Sequence, residues 1–115
     1  MNAIDGITRL NVDRGLTTFN ASVEYDMIFT ELQELLTGAA EEKENDMVNS
    51  LCSIMVAATG ALDKLGYKPE IALLELVKEI SSCKGSIDTI SGKWHKDMNQ
   101  YPPTLYVADY AIAKE

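Results

Sequence analysis

Two glutamates three residues apart, Glu31 and Glu34 in the stretch ELQE, lie about 60° from one another around a helix and could hold Mg²⁺ or Mn²⁺ through their carboxylate oxygens. A cation held between two helices needs acids on the neighbouring helix too. Downstream, DMVNSLCS places Asp46, Asn49 and Ser53 on one helical face, and of these only Asp46 carries a charge. Asn49 and Ser53 offer neutral dipoles, poor ligands for a hard cation. Glu31, Glu34 and Asp46 are therefore the candidate ligands of what could only be a weak metal site. A solvated helix face carries E-x-x-E just as readily, because carboxylates left unpaired in the interior are costly.

A second cluster lies near the end of the chain, where Lys84, Lys93 and Lys96 alternate with Trp94, His95, Tyr101 and Tyr106. Ammonium groups neutralise phosphate and aromatic rings stack on bases, so the set suits a nucleotide. The competing reading is a solvated segment whose Trp94 and Tyr106 pack down onto helices. Histidine-rich zinc ligation is excluded by the single histidine, His95, and a site from Cys52, Cys83 and His95 lacks the usual ligand spacing. No nucleophile elbow accompanies any serine or cysteine.

The elements that must position these residues are helical. Apolar periodicity predicts helices over 22–37, capped by Asn20 or Ser22 and stopped by Gly38, over 46–65, ended by Gly66, and over 69–80, opened by Pro69. Residues 1–21 read as a mixed leader and 81–115 as an irregular arm with one short terminal helix. The expectation is a single all-α domain, an antiparallel helical bundle with an irregular C-terminal arm. Three amphipathic helices cannot bury all their stripes alone, so the bundle is expected to be completed by homo-oligomerisation.

At 115 residues and 46% hydrophobic, the chain is one domain by size and able to build a core. Eighteen acids against ten bases give a net charge of −8, which argues against a nucleic-acid polymer as partner. Two isolated cysteines read as reduced thiols, which implies a cytoplasmic home. Neither a secretory leader nor a membrane span is expected.

Taken together, ELQE, the helix MVNSLCSIMVAATGALDKLGY and the arm segments KGS, GKW.KD and TLY.ADY resemble the MazG-like all-α nucleoside triphosphate pyrophosphohydrolases, especially small phage-type and mobile-element members. The resemblance covers about residues 24–110, and the arm is its most specific part. It implies dimers or tetramers in which acids from two helices hold Mg²⁺ and a nucleoside triphosphate is cut between its α and β phosphates. Glu31 and Glu34 match one acidic half. Where relatives read like VDALCDIMV, this chain has VNSLCSIMV, with Asn49 and Ser53 at acidic positions; where they read like NSRKGS, it has SSCKGS, with Ser81 and Cys83 in place of an Asn and an Arg. The departures cluster at the metal and phosphate positions. The implied function is a nucleotide or nucleotide-derived ligand bound without efficient hydrolysis, through Lys84, Lys93, Lys96, Trp94 and Tyr106, with sequestration of a nucleotide signal as one use. A working Mg²⁺-dependent pyrophosphohydrolase rebuilt from Glu31, Glu34 and Asp46 or Glu24 is the alternative. A protein-interaction module is the third.

Overall fold

The computed structural model describes residues 2–97 and 106–115, which form two compact units, Met1–Pro69 and Glu70–Glu115. Among the described residues are four α-helices, α1 (Ala3–Asp13), α2 (Ala21–Ala40), α3 (Glu44–Lys64) and α4 (Pro69–Ser82), then β1 (Gly85–Ile87), β2 (Trp94–Lys96) and a 3₁₀ turn (Tyr110–Ala113). The chain is mostly helical, as expected. The small sheet is an addition to the all-α expectation.

The first unit is a hairpin of α2 and α3 with α1 laid against α3. Asn20 caps α2 by accepting from the N–H groups of Ser22 and Val23, the role expected of it. Gly38 does not stop the helix, which continues for two more residues. It is instead a point of close approach, where an added Cβ would lie 3.3 Å from both Asp46 Cβ and Met47 Cγ. The turn follows at Glu42, whose φ is 56°, and Lys43 N–H returns to the Gly38 carbonyl at 2.9 Å.

Within the supposed leader lies α1, capped by the Asn2 side chain, which accepts from Asp5 N–H at 2.8 Å. Its buried Asn11 donates to the Gly60 carbonyl at 3.1 Å and to Asp63 at 3.0 Å, fixing α1 on α3. These two acceptors leave the amide no reason to seek water.

The second unit is built on α4. Buried Glu75 accepts from Tyr106 Oη at 2.5 Å and from Asp109 N–H at 3.0 Å, while Glu79 accepts from Ala108 N–H at 3.0 Å. Two acids one helical turn apart thus bind the returning chain through its backbone donors. The antiparallel pair β1–β2 sets Gly85 opposite Lys96, Ser86 opposite His95 and Ile87 opposite Trp94. A side chain at Gly85 would collide with the His95 carbonyl and the Trp94 ring, so the glycine of KGS and the tryptophan of GKW need one another. Asp88 shapes the connecting loop by accepting from Ile90 and Ser91 N–H groups. Those bonds hold its carboxyl below the ordinary range.

Among the described residues the helix stripes are only partly buried, in line with the expectation that three helices cannot cover them alone. Leu36 and Met55, both on those stripes, are 73% and 67% exposed, and the buried apolar side chains among the described residues are Ala72 and Ala113. Ile28, Leu35, Ile54 and Leu62 are half-buried, so each stripe is covered in part within the first unit.

Candidate functional site

In the first unit a cleft of about 630 Å³ opens among α1, α2 and α3. Glu31 reaches it from α2, and Asn49 and Ser53 reach it from α3, so the acid and the two neutral positions singled out in the sequence share one cavity. Glu34 and Asp46 do not join them. They line a separate recess of about 220 Å³ with Thr37, Gly38, Asn49 and Ser50. Asn49 alone borders both, so the E-x-x-E motif is divided between two openings rather than converging on one ion.

The cleft also holds charges outside the E-x-x-E motif. Lys64, in the last turn of α3, places its ammonium 2.5 Å from Glu24 Oε1 in the first turn of α2, with side chains only 7% and 6% exposed. Antiparallel pairing brings these helix ends together. Arg14 adds a second cation to the lining. The remaining oxygen of Glu24, Oε2, and Glu31 Oε2 are both buried without a hydrogen-bond partner. Ile7, Leu10, Met27 and Val56 supply apolar walls.

The donor set suits Mg²⁺ poorly. Of the acids that line the cleft, Glu24 is already neutralised by Lys64, and Glu31 faces Asn49 and Ser53 rather than carboxylates. Among the described residues no group of three His, Cys, Asp or Glu side chains is placed to hold a metal ion.

The arm residues lie in the second unit. Lys84, Lys93, Trp94 and Lys96 are exposed, and among the described residues none of the three ammonium groups enters a salt bridge. Strand alternation puts Trp94 and Lys96 on one face of the hairpin and His95 on the other. His95 Nε2 lies 3.8 Å from Asp88. Tyr106 is differently employed: its hydroxyl is committed to Glu75, and Lys78 Nζ sits 5.9 Å from its ring centroid. That bond raises the phenol's pKa, and with Asp109 N–H it lowers that of Glu75. Tyr101 lies outside the described residues.

Cys52 and Cys83 are free thiols, and no described helix is long and apolar enough to cross a membrane. Sequence reasoning missed α1, although Asn2 with Asp5 three residues on is a helix-start signal. It also missed Lys64, whose partner is forty residues away. No protein-family model, curated protein or solved structure matches the chain.

Proposed function

We propose that this chain is a MazG-like nucleotide-binding protein whose hydrolysis is lost or weak, able to sequester a nucleotide or nucleotide-derived signal. The observation that carries the reading is the cleft in which Glu31 confronts Asn49 and Ser53, since a family-type Mg²⁺ site would need carboxylates on both helices there. The exposed Trp94 with Lys93 and Lys96 supports a contribution of the hairpin to phosphate or base contacts. Exposed stripes on α2 and α3 support a homo-oligomer, dimer or tetramer, and two free thiols support a cytoplasmic protein.

The second reading, an active pyrophosphohydrolase, draws on the unpartnered oxygens of Glu24 and Glu31 as cation ligands. One panel separates the two. Nucleoside mono-, di- and triphosphates are tested for thermal stabilisation and for product release, each with and without Mg²⁺ or Mn²⁺. Stabilisation without turnover supports sequestration. Pyrophosphate release abolished by Glu31→Ala supports the enzyme.

A further inference from the structure

The acceptors buried in the cleft point to the kind of group that enters it. A carboxylate oxygen shut away from water without a donor is costly, and Glu24 Oε2 and Glu31 Oε2 are both in that state. Glu24 is 5% exposed, and its other oxygen is held by Lys64, so the side chain cannot turn outward to recover hydration. Lys64 also cancels its charge. With Arg14 set against Glu31, the formal charges lining the cleft sum to zero, which removes the electrostatic demand for a metal while leaving two acceptors unfilled. Apolar walls from Ile7, Leu10, Met27 and Val56 favour a ligand with uncharged faces, and a volume of about 630 Å³ fits a small organic molecule.

We propose that the cleft among α1, α2 and α3 receives a flat, amino-bearing nucleobase, whose N–H donors are accepted by Glu31 Oε2 and Glu24 Oε2. The inference rests on the nucleotide reading above and assigns Glu31 to base recognition instead of metal ligation. A site built around acceptors rejects an analogue without the matching donors, because its own buried oxygens then stay unpaired. The cost of those oxygens falls on the ligand-free protein, so removing that of Glu31, which enters no ion pair, should stabilise the fold while weakening binding.

The test uses the full chain, with guanosine, adenosine and purine riboside as probes, the last having the same frame without amino groups. Calorimetry should show guanosine or adenosine binding about tenfold or more tighter than purine riboside. Glu31→Leu should abolish that preference while raising the Tm of the ligand-free protein, and Glu31→Gln should weaken it with the fold retained. Equal binding of purine riboside overturns the assignment, as does a lower Tm in Glu31→Leu or a Glu31-dependent stabilisation by Mg²⁺ alone. If nucleotides bind but amino groups make no difference, only this inference falls. If no nucleoside or nucleotide binds, the nucleotide reading falls with it.

Discussion

Lys64 and Glu24 form an ion pair 2.5 Å long at the open end of the α2–α3 hairpin, and both side chains are almost wholly removed from water. Breaking such a pair from one side leaves an unmatched charge in a poorly hydrated place. Lys64→Met should therefore destabilise the fold by about 3–5 kcal/mol, whereas Lys64→Met combined with Glu24→Met should recover most of that loss. Urea unfolding of the two single variants and the double variant measures the coupling. Additive losses would mean that the two groups act independently.

Acid should loosen the second unit through Glu75. Its carboxyl titrates below the ordinary glutamate range because Tyr106 and Asp109 donate to it, so its contribution is fully present above the unfolded value, about pH 4.3. That contribution is lost as pH falls through the lower folded value. Tyr106→Phe removes the largest cause and should flatten the fall in Tm between about pH 5 and pH 3 relative to the parent. An unchanged acid limb would show that Glu75 does not govern it.

Asn49→Asp with Ser53→Asp would place two carboxylates in the cleft that Glu31 lines. Anionic oxygens are what hard cations require, so Mg²⁺ affinity should rise about tenfold or more, read by calorimetry. Metal affinity is the fairer measure than turnover, since hydrolysis also needs phosphate contacts that two added carboxylates do not supply.

Leu36→Glu or Met55→Lys should convert an assembled protein into monomers, because each puts a charge on a highly exposed apolar stripe residue. Sedimentation at micromolar concentration reads the change. A parent that already sediments as a monomer would remove the homo-oligomer from the proposal.

The helices α2, α3 and α4 were legible because long periodic apolar patterns, Asn20 and Pro69 all point the same way. Helix α1 was obscured by Gly6 and by its length of only 11 residues, and its anchor Asn11 is polar where a core residue would have been sought. Gly38 illustrates the limit of local rules: glycine is a stop signal in sequence, yet here it serves close helix contact. Glu31 from α2 and Asn49 and Ser53 from α3 line one cleft because the two helices pair antiparallel, whereas Glu34 and Asp46 fall in a separate recess that helical spacing alone does not foretell. Glu24–Lys64 and Glu75–Tyr106 were not legible, since both depend on pairings 40 and 31 residues apart that no short pattern encodes.

The packing of Trp94 over Gly85 has an optical consequence. Trp94 is the chain's only indole, and it belongs to the unit Glu70–Glu115, whereas α1, α2 and α3 belong to the other. Intrinsic fluorescence excited at the indole band therefore watches one unit, while the far-ultraviolet dichroism is dominated by helices, most of them in the first. Two denaturation curves recorded on the same sample report whether the units melt as one cooperative body or in succession, without any label being attached.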